Sequence, residues 1–252
     1  MELNVVRIEV PAALDAARAR ALGDAVEAAG AADASVIVLV GQAGLFCRGL
    51  DFEALLSQSP AGGSPDAGVV EAGVMAFGRC LGVIRAARRP VISVVDGAAL
   101  GGGVGIAAAA DLLLATARST FALPEALFGL VPAIVLPVLL ERMTPHHARL
   151  LALRGRTHSA EEAHACGLVD VVVRDGPDAI DRAVQLAARE MARPRTAAIE
   201  TLRPLCAELA RLPLDAAFRR GAAETHRMLL APGVSAALRA FVTDGEAPWL
   251  SE

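Results

Sequence analysis

Val94-Val95-Asp96-Gly97-Ala98-Ala99-Leu100-Gly101-Gly102-Gly103 is the stretch on which the fold turns. It carries the end of an apolar segment, Val91 to Val95, into three consecutive glycines and then an alanine-rich run to about Ala110. The apolar segment has the length and β-branched composition of a buried strand. Glycine permits sharp turns and close approach of backbone to a ligand, at an entropic cost that makes three in a row unusual. A helix that starts there presents unpaired N–H groups and the positive end of its dipole. The plainer reading is a tight turn with close helix packing.

About fifty residues upstream lies a second turn of this kind. Val36 to Val40 (VIVLV) is a continuous apolar run, as in a strand buried on both faces. A loop over Gly41 to Gly49 follows, and within it begins Phe46-Cys47-Arg48-Gly49-Leu50-Asp51. Taken singly, this is also the pattern of a strand-to-helix turn capped by Asp51. Downstream stands Phe121-Ala122-Leu123-Pro124-Glu125, continued by Ala126-Leu127-Phe128-Gly129-Leu130-Val131-Pro132. Glu125 is the one acidic residue between Thr120 and Glu141, in an apolar setting that raises a carboxyl pKa toward the range of a general acid or base. Read singly, it is also a loop-edge Glu reaching solvent.

The remaining pattern alternates strands and helices. Strands are expected at Val5 to Val10, Leu112 to Ala115, Phe121 to Leu123 and Val169 to Val173. Helices are expected at Asp15 to Ala29, Asp51 to Leu56, Val69 to Ala87, Ala133 to Met143, Pro145 to Leu153, Ala160 to Cys166 and Pro177 to Ala192. Ser57 to Gly68 (SQSPAGGSPDAG) reads as a mobile loop. This alternation predicts an α/β protein with parallel pairing. From Pro194 onward only amphipathic helices appear, punctuated by Pro204, Pro213 and Pro232, so the expected organisation is a core over 1–192 and a helical region over 193–252.

Composition narrows the chemistry. Among 252 residues, 54% are hydrophobic and 21% charged, which is enough apolar material for a sizeable core. Lysine is absent, which excludes Schiff-base catalysis and lysine contacts to phosphate. A net charge of −4 gives no basic footprint for nucleic acid. Cys47, Cys80, Cys166 and Cys206 form no CxxC pair, so no metal site is expected and the thiols read as reduced and cytoplasmic. No signal peptide or membrane span is expected. His146, His147, His158, His164 and His226 read as surface or capping residues. Cys47, though beside the first turn, has no His near it in sequence. Arg189, Arg193, Arg195, Arg203, Arg211, Arg219, Arg220 and Arg227 read as solvated helix faces or as a basic patch for an acidic partner.

In this order and spacing, the three motifs resemble the crotonase (enoyl-CoA hydratase/isomerase) superfamily, over essentially the whole chain and most strongly from Val36 to Val173. The resemblance implies a spiral of ββα units with a C-terminal helical trimerisation region, assembled as a homotrimer or hexamer. It implies that the N–H groups of Leu50 and Gly102 form an oxyanion hole for a thioester and that Glu125 moves the α-proton. Cys47, Arg48, Gly49, Gly101, Gly103 and Phe128 are implied to bind substrate. No metal or separate cofactor is implied, since the acyl group arrives on the phosphopantetheine of acyl carrier protein or of CoA. Typical hydratases carry a second glutamate where this chain has Gly105; Glu53 or Glu71 is a candidate substitute. The stretch Leu123 to Pro137, and Phe241 to Trp249 near the end, look like the dehydratases of polyketide β-branching, which act on 3-hydroxy-3-methylglutaryl carrier protein to give the 3-methylglutaconyl thioester. A hydratase, isomerase or decarboxylase of another acyl-CoA, and a catalytically silent assembly partner, are the other readings.

Overall fold

The computed structural model describes residues 3–42, 44–57, 64–174 and 178–244. Two compact units divide the chain, Met1–Glu200 and Thr201–Glu252.

The first unit is built on two sheets. One contains β1 (Val5–Glu9), β2 (Val36–Val40), β4 (Val91–Val95), β6 (Leu112–Thr116) and β9 (Val171–Val173), in the order β1-β2-β4-β6-β9 and parallel throughout. The other contains β3 (Gly44–Cys47), β5 (Gly97–Leu100), β7 (Thr120–Ala122) and β8 (His158–Ser159); β3, β5 and β7 are parallel and β8 runs antiparallel to β7. The chain lays β2 in the first sheet and β3 in the second, then forms the helices α2 (Phe52–Ser57) and α3 (Ala67–Arg85). It repeats the move with β4, β5 and α4 (Gly102–Ala109), and again with β6, β7 and α5 (Leu136–Arg142). This repetition is the expected spiral of ββα units.

The continuous apolar runs follow from burial on both faces of the first sheet. Ile37 and Leu39 of β2 point into a cluster with α1 (Ala16–Ala31), α3 and α4, while Val36 and Val38 point the other way, with α8 (Ala179–Met191) supplying Val184, Ala187 and Ala188. By length and composition α3 is apolar enough to cross a membrane, contrary to expectation. Here Ala76, Phe77, Cys80, Leu81 and Ile84 of α3 belong to the protein core.

The second sheet was not foreseen at three places: Gly44–Cys47 falls in the expected loop, Gly97–Leu100 in the expected turn, and His158–Ser159 between the helices expected at Pro145 to Leu153 and Ala160 to Cys166. Four-residue strands made of Gly, Ala, Leu, Phe and Cys carry little β-propensity, and only pairing with each other and with β7 defines them. The helix expected from Ala133 starts at Leu136, which places Pro137 in the first turn where its missing N–H costs nothing. Next come α6 (Pro145–Arg154), capped by Thr144, and α7 (Ala160–Ala165), which opens on a Ser159/Glu162 capping box. In the loop expected over Ser57 to Gly68, residues 58–63 lie outside the described residues, and Asp66 caps α3 through a 3.0 Å bond from the Val69 amide. Pro177 also lies outside them.

The helices α9 (Thr196–Leu209), α10 (Leu214–Leu229) and α11 (Pro232–Asp244) follow. Pro204, expected to interrupt, lies inside α9. It removes the amide that would have bonded the Glu200 carbonyl, and the division between the two units falls at that turn. In the second unit, Glu224 is buried between Arg220 and Arg227, Arg220 also holds Glu208 at 2.9 Å, and Arg219 holds Asp215 at 3.0 Å. These three arginines of the expected basic patch are therefore engaged by carboxylates of their own unit.

Candidate active site

Glycine geometry brings two chain turns against each other. After β3 the backbone passes Gly49 at φ +82°, a left-handed conformation that a side chain disfavours. The turn is fixed to the segment before α1: the Arg48 amide donates to the Ala12 carbonyl (2.9 Å), the Leu14 amide to Gly49 (2.8 Å), and the Asp51 amide to Leu14 (2.8 Å). In such a parallel bridge the N–H of the intervening residue points away from its partner. Leu50 is that residue, so its amide faces away from Leu14. Asp51 closes the turn by accepting from the Ala54 amide and from Arg18, both at 3.0 Å; these hydrogen bonds hold its pKa below the usual value, with the Ala54 amide the larger cause.

After β5 the chain passes Gly101 at φ +51°, its amide donating to the Ala122 carbonyl (2.9 Å), and α4 begins at Gly102. A Cβ on Gly49 would stand 2.5 Å from the Gly102 nitrogen. One on Gly102 would stand 2.9 Å from the Phe77 ring, and one on Gly103 would run into the Cys47 carbonyl. The glycines are what allow the β3 turn and the α4 terminus to abut. Neither the Leu50 nor the Gly102 amide donates to a protein acceptor among the described residues. Two free N–H groups from adjoining turns thus stand at one place, the second of them at the positive end of a helix.

Glu125 completes the arrangement. It opens a 3₁₀ turn, Glu125–Phe128, closed by the Leu130 amide donating to the Glu125 carbonyl at 3.0 Å. Its Oε1 lies 3.0 Å from the point a Cβ on Gly101 would occupy. Its Oε2 is buried without a hydrogen-bond partner. Burial pushes its pKa above the ordinary carboxyl value, offset in part by its own main-chain amide. A carboxyl group with a raised pKa and an uncommitted oxygen, beside two free amides, is equipped to exchange a proton next to an oxyanion.

The other candidates are placed as follows. Cys47 is buried, accepts from the Gly49 amide at 3.3 Å, and burial pushes its thiol up to about 11, which leaves it no nucleophile at neutral pH. The Arg48 side chain is exposed, and its carbonyl stands 3.7 Å from the Gly101 Cβ position. Phe128 shares the 3₁₀ turn with Glu125, but its ring is 74% exposed, at an apolar rim with Leu127 and Val131. Glu53 and Glu71 are exposed on α2 and α3. At Gly105 a Cβ would meet Val135 Cγ2 at 2.9 Å and Leu81 at 3.5 Å, so apolar side chains fill that place. His158, expected at the surface, is buried; its Nδ1 lies 3.0 Å from the Arg156 carbonyl and burial holds its pKa low. The support from Ala12 and Leu14, the Arg18–Asp51 link and the Phe77 ring under Gly102 were not foreseen, because pairings across tens of residues leave no local signal.

A spiral of ββα units with two unpaired amides on adjoining turns and a half-buried carboxyl group beside them defines a crotonase-type protein. A model of the enoyl-CoA hydratase/isomerase family matches residues 2–250, and the chain belongs to that family. It is 36% identical over 157 residues to mevalonyl-coenzyme A hydratase SIDH of Beauveria bassiana, covering 60% of this chain and 54% of that protein. It is 35% identical over 135 residues to the carnitinyl-CoA dehydratase of Salmonella, covering 52% of this chain and 50% of that protein. The chain thus spans about half the length of the curated relatives it matches. The fold matches that of human enoyl coenzyme A hydratase domain-containing protein 3 with a TM-score of 0.84 at 19% identity, over 97% of this chain and 96% of that one.

Proposed function

We propose that the protein is a lyase that removes water from a 3-hydroxyacyl thioester. The observation that carries this reading is the half-buried Glu125, its Oε2 uncommitted, set against Gly101 beside the free amides of Leu50 and Gly102. The thioester oxygen accepts hydrogen bonds from those two amides. Glu125, as the carboxylate, takes the α-proton, and the C–H electron pair moves onto the carbonyl oxygen as an enolate. The enolate returns its electrons to form the Cα=Cβ bond while the bond from Cβ to the hydroxyl oxygen breaks. Glu125 gives its proton to that oxygen, which leaves as water, and the carboxylate is restored. Each amide supplies about 3 kcal/mol of transition-state stabilisation, the usual worth of such a donor.

A mechanism with one carboxyl group is favoured by the packing at Gly105, where Val135 and Leu81 occupy the place a second glutamate would need. A tertiary β-hydroxyl leaves readily from an enolate, so the substrate we assign is 3-hydroxy-3-methylglutaryl on acyl carrier protein, with the 3-methylglutaconyl thioester as product, in polyketide β-branching. The resemblance over Leu123 to Pro137 supports that substrate; the resembling end of the chain lies beyond the described residues from Gly245 on. The named relatives act on CoA thioesters, which favours CoA as the second carrier. The test supplies the enzyme with 3-hydroxy-3-methylglutaryl carrier protein, the same acyl group on CoA, and simple enoyl-CoAs. Loss of water from the first supports the whole reading, loss only from the second moves the carrier to CoA, and turnover of neither acyl group sinks the dehydratase assignment.

A further inference from the structure

A pocket of about 260 Å³ lies in the first unit, lined by residues of α6, β8 and α7 and the segments next to them, none of which serves the proposed reaction. His147, Leu150, Leu151 and Arg154 recur at the spacing of one helix face, Glu162 and Ala165 share a face of α7, and Cys166 caps its C-terminus. We propose that this pocket binds a small monocarboxylate.

The charge inventory carries the argument. Arg156 grips Glu162 at 2.6 and 3.1 Å, and Glu162 also accepts from the Ser159 amide at 2.9 Å, so that pair is satisfied within the protein. His158 is held neutral by burial. The Cys166 thiol is protonated and points its hydrogen at the Ala163 carbonyl (3.3 Å). Arg154 is exposed and makes no ion pair or hydrogen bond among the described residues. One guanidinium without a protein partner therefore lines the pocket. Its planar fork matches a carboxylate bidentately. Leu150, Leu151 and Ala165 add apolar surface to the lining for a short hydrocarbon tail. A phosphate dianion would leave that apolar lining uncovered. The volume is below that of sites for drug-sized ligands, which limits the tail to a few carbons.

The experiment is isothermal titration calorimetry of the full chain with sodium butyrate, at constant ionic strength. Saturable binding is expected, weaker for acetate and not displaced by inorganic phosphate. Arg154→Ala is expected to weaken it by about tenfold or more, and Ala165→Leu, which fills the pocket, to abolish it. Glu125→Gln is expected to leave it unchanged, which separates this site from the thioester site. Absence of saturable binding, equal binding by Arg154→Ala, displacement by phosphate, or loss in Glu125→Gln would each overturn the proposal.

Discussion

A half-buried carboxyl group is costly to ionise, and that cost gives Glu125 two measurable consequences. The first concerns turnover: Glu125→Gln keeps the shape but cannot exchange a proton, so it is expected to lower kcat by about 10²–10⁴-fold with an unchanged circular dichroism spectrum. In the wild type, kcat/KM is expected to rise with pH through an apparent pKa above the usual carboxyl range, because the base form starts the reaction. The second concerns stability. The folded-state pKa is raised above the unfolded value, so the favourable contribution is fully present below the unfolded pKa and is lost as pH rises through the folded pKa. Glu125→Gln is therefore expected to melt at a higher temperature than the wild type at pH 7, with the gap closing as the pH falls below the ordinary Glu range; an equal Tm at pH 7 would contradict the burial cost. Gly49→Ala has the opposite effect. A methyl group at φ +82° costs about 1–2 kcal/mol and also strikes the Gly102 nitrogen, so differential scanning calorimetry should show a lower Tm and assays a loss of activity in the surviving folded enzyme.

The helix α4 is held at both ends, which is how a short element keeps an amide in place. Its start is packed by Gly49 and Phe77. At its last turn and C-cap, Arg142 donates to the carbonyls of Ala108 (3.1 Å) and Ala110 (2.7 Å); it also donates to Leu168 (3.2 Å) and pairs with Asp170 at 2.6 Å, its side chain 9% exposed. Arg142→Met removes these four contacts, while Asp170 keeps the Leu113 amide at 2.6 Å, and is expected to cost about 2–4 kcal/mol in chemical denaturation. The middle of α4 supplies a coupled pair. Gly105→Glu alone forces a charged side chain against Val135 and Leu81 and should destabilise the fold; adding Val135→Gly opens that space and should recover part of the loss. Strict additivity of the two changes in denaturation midpoints would show that the two positions do not share that space.

At the scale of the molecule, the second unit exposes Leu202, Leu214, Phe218, Leu230 and Val242, a large apolar area for so short a helical segment. We propose that this surface packs between copies, as the family resemblance implies. Sedimentation velocity is expected to find a trimer or a hexamer, and Phe218→Asp to shift it toward monomer; a wild type that stays monomeric at micromolar concentration would remove that role from these helices.

Much of this was legible along the chain. Apolar runs of strand length identified β2, β4 and β6 because both of their faces are covered, so every residue carries the signal. The glycines at 49 and 101–103 and the isolated Glu125 marked the candidate site, since a left-handed φ, a close backbone approach and a lone acid among apolar residues each constrain residue type locally. The strands β3 and β5 were hidden, because four residues of Gly, Ala, Leu, Phe and Cys become strands only through pairing with partners about fifty residues away or with β7. The direction of the Leu50 amide, the Phe77 ring beneath Gly102 and the Val135 side chain over Gly105 were likewise set by packing between distant segments. Such contacts are fixed when the whole first unit closes on its core, and no local preference of the chain encodes them.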